Sequence, residues 1–96
     1  MQKYSVIVTA TAEFEIDEYF DFIALDSLPN AIAWHTNIYD KIGTLSVLAP
    51  RCPIADENPF FESVIHCLLI DGYRALYRIE ANVVEVLHVK HPRMNR

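Results

Sequence analysis

The sequence predicts an α+β domain built β-α-α-β-β-β, with an N-terminal strand and a helix hairpin packed on a largely antiparallel sheet. Three observations predict it. Apolar residues recur every three or four positions between Thr9 and Ala49, the spacing of helices with one buried face. From Ser63 onward the alternation shortens to two, the period of strands. Between those strands lies Asp71-Gly72, a two-residue hairpin signal. At 96 residues the chain is expected to form one domain spanning 1–96.

Each element follows from local chemistry. Tyr4 to Val8 is short, apolar and rich in β-branched residues, and reads as a strand. Thr9 can cap the next segment through its hydroxyl, and Ala12, Ile16, Tyr19 and Ile23 then fall on one helical face. Glu13, Asp17, Glu18 and Asp21 take the rest, so this helix is amphipathic and acidic. Asp26-Ser27 offers a break and a new cap, and Pro29 is tolerated in a first turn. Ala31, Trp34, Ile38, Ile42, Leu45 and Ala49 predict a second helix continuous to Pro50, antiparallel to the first.

Arg51 to Glu62, with its prolines and acids, reads as an irregular connector. Ser63 to Ile70, Tyr73 to Ile79 and Val83 to His91 are the expected strands. Asn82 is the expected left-handed residue of the second turn. In Tyr73 to Ile79 the tyrosines, Ala75 and Ile79 share one side, and Arg74, Leu76 and Arg78 share the other. With the tyrosine side under the helices, both arginines lie on an open face. The last strand is ambiguous: Val84, Val86, His88 and Lys90 oppose Val83, Glu85, Leu87, Val89 and His91, and either set can face the core.

Composition narrows the function classes. The chain is 52% hydrophobic and 22% charged with two glycines, which excludes a disordered or fibrous protein and leaves apolar residues over for the surface. No apolar stretch reaches the length of a membrane span, and the N-terminus does not read as a signal peptide. Two cysteines, Cys52 and Cys67, match neither a disulfide scaffold nor a zinc spacing, so free thiols in a reducing cytosol are expected, with no metal and no cofactor. The net charge is −5, divided as −7 over residues 1–62 and +2 over residues 63–96. Such asymmetry accompanies a localised interaction surface.

The succession of TATAEFEIDEYFDFI, AIAWHTNIYDKIGTL, APRCPIADEN and the ending YRALYRIEANVVEVLHVKHPR resembles the ParE branch of the RelE/ParE toxins, over nearly the whole chain. The tyrosine-arginine strand, short turn and valine-rich strand closing on His-Pro-Arg carry most of the likeness. The resemblance implies the toxin half of a bacterial type II toxin–antitoxin pair, cytoplasmic and neutralised by a cognate antitoxin. ParE-like members inhibit DNA gyrase, whereas RelE-like members cut messenger RNA on the ribosome. A third possibility is a member that has lost toxicity and only binds.

Cleavage at a 2′-hydroxyl needs a base, an acid and cations around the phosphorane-like transition state. His88 or His91 can transfer protons, and Arg74, Arg78 or Arg93 can hold phosphate. Against this, no aromatic follows Tyr77 to stack on a base, and the negative total opposes entry into the ribosome. The expectation is therefore a gyrase inhibitor with no catalytic residues of its own. Lys90, His91, Arg93 and Arg96 would form its target-binding patch, with a solvated tail as the plainer alternative.

Other side chains are weighed similarly. His66 beside Cys67 invites a metal reading, but strand neighbours point to opposite faces, so core or surface placement is expected. Trp34 is expected as a core anchor and His35 as a half-buried structural histidine. Phe14 falls opposite the buried stripe among acids, and Ile32 and Tyr39 flank the stripe of the second helix. Either these three receive an antitoxin segment that folds on binding, possibly with a strand added at a sheet edge, or they pack helix on helix.

Overall fold

A computed structural model describes residues 3–57, 59 and 63–93. Strand β1 (Ser5–Val8) leads into α1 (Ala10–Asp26), α2 (Leu28–Gly43), the single turn α3 (Leu45–Leu48) and a 3₁₀ turn at Ala49–Arg51; β2 (His66–Ile70), β3 (Tyr73–Glu80) and β4 (Val83–Lys90) complete the fold. The four strands form one mixed sheet in the order β1-β4-β3-β2. β1 runs parallel to β4, and the β4-β3-β2 pairs are antiparallel. The predicted α+β order is what forms. No helix among the described residues is long and apolar enough to cross a membrane.

Local chemistry places the helices. Thr9 Oγ1 accepts from the Ala12 N–H at 3.3 Å and donates to the Val86 carbonyl at 2.9 Å, so the α1 cap also fastens the helix to β4. Ser27 joins the two long helices alone. Its N–H donates to the Ile23 carbonyl and its Oγ accepts from the Asn30 N–H, ending one helix and capping the next.

The second helix is not continuous to Pro50. It stops at Thr44, whose hydroxyl donates to the Lys41 carbonyl at 2.5 Å. Leu45 and Ala49 are nevertheless fully buried, because the broken helix keeps the stripe turned inward.

At the β2–β3 turn, Asp71 and Gly72 have φ of 50° and 87°, the left-handed pair that a two-residue hairpin requires. At the β3–β4 turn the left-handed residue is Ala81, φ 55°, rather than Asn82. β2 begins at His66 rather than Ser63, and Ile54 bridges to His66 along its outer edge.

The main core lies between the helices and the sheet. It joins Ala12, Ile16, Ile38, Ile42, Leu45 and Ala49 to Ile70, Ala75, Tyr77, Val84, Val86 and Val89. A fully buried Ile or Val there is worth roughly 1.5–3 kcal/mol relative to exposure. The tyrosine side of β3 does face the helices.

The opposite sheet face is not open as expected. Ala55 of the connector and Ile65 just before β2 cover Cys67 and Leu76, with Leu87 packed alongside.

A β-bulge resolves the orientation of β4. Leu76 pairs with His88 and Tyr77 with Val86, which leaves Leu87 as an extra residue. Val84 and Val86 on one side of it and Val89 on the other therefore all reach the same core.

Candidate functional site

On the face away from the helices, β3 presents Arg74 and Arg78, and the chain supplies a carboxylate to each. The Arg74 guanidinium grips Glu57 of the connector with both Nη atoms; Nη1 donates to Oε2 at 2.6 Å, and Nη2 donates to Oε1. Both side chains are largely buried. The Arg74 fork holds the Glu57 carboxyl below the usual carboxylate range, and Lys90 adds to that in a minor way. Lys90 lies directly across from Arg74 in the sheet register. Arg78 Nε donates to Oε1 of Glu85, its cross-strand partner, at 2.7 Å, and Glu80 stands 3.9 Å away. Glu85 raises the Arg78 guanidinium further.

The two candidate proton carriers have separate neighbours. His88 Nδ1 is 3.3 Å from Glu15 Oε2, while the other oxygen of Glu15 accepts the Val89 N–H at 2.9 Å. Glu15 thus closes the edge of β4 beyond the end of β1. His91 faces the helix side, its ring 5.8 Å from Tyr19 and 5.3 Å from Tyr73. Its Nδ1 accepts the Arg93 N–H at 3.0 Å, and its own N–H donates to the Tyr19 hydroxyl at 3.2 Å. Tyr19 in turn donates to the Val89 carbonyl, and burial with the nearby Glu15 pushes its hydroxyl pKa up.

The C-terminal patch is divided in the same way. Lys90 is on the arginine face, His91 is against the aromatic cluster, and Arg93 is exposed. Arg96 lies outside the described residues.

Trp34 completes the aromatic cluster, its ring 5.1 Å from Tyr73 and 6.2 Å from Tyr19. Its buried Nε1–H has no hydrogen-bond partner among the described residues. Tyr77 is fully buried and donates to the Ala49 carbonyl at 2.5 Å; burial pushes its hydroxyl pKa well above the ordinary phenol range. His66 stacks on Tyr77, while Cys67 faces the other cluster and its thiol is pushed up by burial. The two neighbours therefore cannot share an ion, and no metal-sized group of ligands occurs among the described residues.

The hairpin surface differs. Phe14 is 63% exposed, and Ile32 is also exposed. Tyr39 is half-buried, with the His35 ring tilted against it at 4.8 Å and Phe20 edge-on to His35 at 5.6 Å. Burial raises the Tyr39 hydroxyl pKa, and Glu13 and Asp17 raise it further. His35 is the half-buried structural histidine expected. On α1 two exposed residues escaped the sequence reading, Phe22 at 71% and Leu25 at 86%. Their signal was present, since neither belongs to the buried stripe and Leu25 follows Phe14 by three helical turns. The carboxylate partners Glu15, Glu57 and Glu85 were also missed. Only Glu85 carried a local signal, as an acid across a short turn from Arg78.

A family model described as the ParE toxin of the type II toxin–antitoxin system, parDE, matches residues 6–96. Among solved structures, a chain of the chromosomal ParDE toxin–antitoxin system from P. aeruginosa superposes with a TM-score of 0.78 at 17% identity, covering 93% of this chain and 96% of that one. A search of curated proteins returned no significant match.

Proposed function

We propose that this chain, which belongs to the ParE toxin family of type II toxin–antitoxin systems, acts in the bacterial cytoplasm by binding DNA gyrase and blocking its supercoiling, without a covalent step of its own. The observation that carries this reading is the pairing of the arginine face. A nuclease needs free cations for phosphate and two proton carriers converging on one atom. Here Arg74 and Arg78 each hold a carboxylate, and His88 and His91 engage different partners.

Binding inhibition requires only a complementary surface. Lys90, His91, Arg93 and Arg96 are the proposed target contacts, meeting an acidic region of the enzyme at the C-terminal end of β4. Neutralisation follows when a cognate antitoxin segment covers the hairpin at Phe14, Ile32 and Tyr39. Exposed apolar side chains of this kind are ready for a segment that folds on binding.

The test is a supercoiling assay with purified toxin and gyrase. Inhibition is expected at micromolar concentration or below, is retained by His88→Ala, and is weakened on deleting Pro92 to Arg96. Inactivity in that assay, together with translation-dependent cuts in cellular mRNA that His88→Ala abolishes, would overturn the proposal in favour of a ribosomal nuclease.

A further inference from the structure

The outer ridge of α1 carries an ordered pattern. Eleven residues at 100° each bring Leu25 back to within about 20° of Phe14, and at 1.5 Å per residue they stand about 16 Å apart. Glu18 and Asp21 fall between them on the same ridge, four and seven residues after Phe14. The ridge therefore reads apolar, acid, acid, apolar. Both apolar ends are more than half exposed, and neither Glu18 nor Asp21 has a salt-bridge partner among the described residues.

The stretch of chain around the ridge has one sign. Between Tyr4 and Asp40 the chain has seven acids and no lysine or arginine. That charge selects the occupant. Nucleic acid and anionic lipid are repelled, and a second copy docked through this ridge would set Glu18 and Asp21 against their own counterparts. A cationic segment with apolar anchors satisfies both features.

We propose that the segment neutralising this toxin is a cationic amphipathic helix, with two apolar anchors three turns apart and two arginines or lysines between them, seated on the Phe14–Leu25 ridge. This rests on the reading that an antitoxin covers the hairpin, and adds the chemistry of what covers it. The spacing follows from helix-in-groove recognition, where anchors repeat with the helical turn. The central cations meet Glu18 and Asp21, whose carboxylates have no salt-bridge partner among the described residues.

Two experiments separate this inference from the reading beneath it. In the first, a labelled synthetic peptide carries Leu at two positions eleven apart with arginines four and seven residues after the first, and a control carries glutamates there. The arginine peptide should bind purified toxin, weaken about tenfold between about 50 and 300 mM salt, and lose binding to Glu18→Lys/Asp21→Lys toxin. The glutamate peptide should not bind.

In the second, toxin is co-purified with the antitoxin encoded beside it, and Phe14→Ser/Leu25→Ser is compared with Glu18→Lys/Asp21→Lys. Loss of complex with both double variants supports the proposal. Loss with the apolar variant alone, with no salt dependence, overturns the cationic helix and leaves the hairpin site standing. An undiminished complex with both variants overturns the hairpin site itself. A toxin that self-associates alone, and becomes monomeric on Phe14→Ser/Leu25→Ser, would identify a second copy as the occupant. Far-UV circular dichroism of each variant shows that the fold is kept.

Discussion

The two faces of this molecule use charge in opposite ways. On the sheet face, cations and carboxylates come from the same chain and close on each other: Arg74 on Glu57, Arg78 on Glu85. On the hairpin face, the acids of α1 other than Glu15 stand without an ion-pair partner among the described residues, interspersed with exposed Phe14, Phe22 and Leu25. A charge already paired at home belongs to the fold, whereas an unpaired one beside exposed apolar surface is available to a partner. This distinction separates Arg74 and Arg78, which are paired within the chain, from the exposed Arg93, and it predicts which substitutions will affect stability.

The largest effect is expected at Arg74. Removing the guanidinium of a largely buried, bidentate pair leaves the Glu57 carboxylate desolvated and unpaired by Arg74, and Arg74→Ala should destabilise by about 3 kcal/mol. The measurement is the midpoint of guanidinium unfolding. Arg74→Lys keeps the charge without the fork and should recover only part of the loss. An unchanged midpoint for Arg74→Ala would break the contrast between the faces, because the pair would then be ornamental.

Glu57 gives the same pair a pH signature. Its folded pKa lies below the ordinary carboxylate value near 4.3. The unfolded chain therefore takes up a proton first as pH falls. The stability from this pair is fully present above the unfolded value, and is lost as pH drops from about 5 through the folded value. Glu57→Gln should flatten that acid limb while costing less than Arg74→Ala at neutral pH, because a glutamine still accepts one hydrogen bond from the guanidinium. Unfolding followed at several pH values from 3 to 7 checks it; a limb of unchanged steepness would assign acid sensitivity elsewhere.

How much of this was legible in the sequence differs by region. The helices, the Asp71-Gly72 turn and the tyrosine side of β3 were readable because each rests on local periodicity or a φ requirement. The orientation of β4 was not, since a period of two cannot register the unpaired Leu87. Val84 and Val89 differ in parity yet share a core. The stop at Thr44 was hidden for the opposite reason: Leu45 and Ala49 keep the spacing of a helix that has already ended. Glu57 over Arg74 joins residues seventeen apart across an irregular connector, with nothing local to announce it. On the hairpin, Phe14 and Ile32 were readable because exposure there follows from the helical wheel alone.

A smaller effect should come from the neutral bond beneath the helices. Tyr77→Phe removes the donor to the Ala49 carbonyl and should cost about 1–2 kcal/mol, since the buried oxygen loses its partner while the ring keeps its packing. Because burial holds the hydroxyl far above the ordinary phenol range, this cost should be the same at pH 5 and pH 8. A pH-dependent cost would mean that charge holds both faces of the sheet, and the contrast with the arginine side would lose its meaning.

The smallest effect on stability is expected at Glu18 and Asp21, and it is the most discriminating. Neither has an ion-pair partner among the described residues, so Glu18→Gln/Asp21→Asn should change the unfolding free energy by no more than about 0.5 kcal/mol. The sign should be favourable, because removing two like charges from a helix that lacks any lysine or arginine relieves repulsion. Added salt should shrink the gain, since screening already relieves that repulsion in the wild type. If instead the double variant is clearly destabilised, these carboxylates have structural partners and are not available to bind. If stability holds while the complex with the antitoxin weakens, the hairpin acids serve recognition alone, as the unpaired half of the comparison requires.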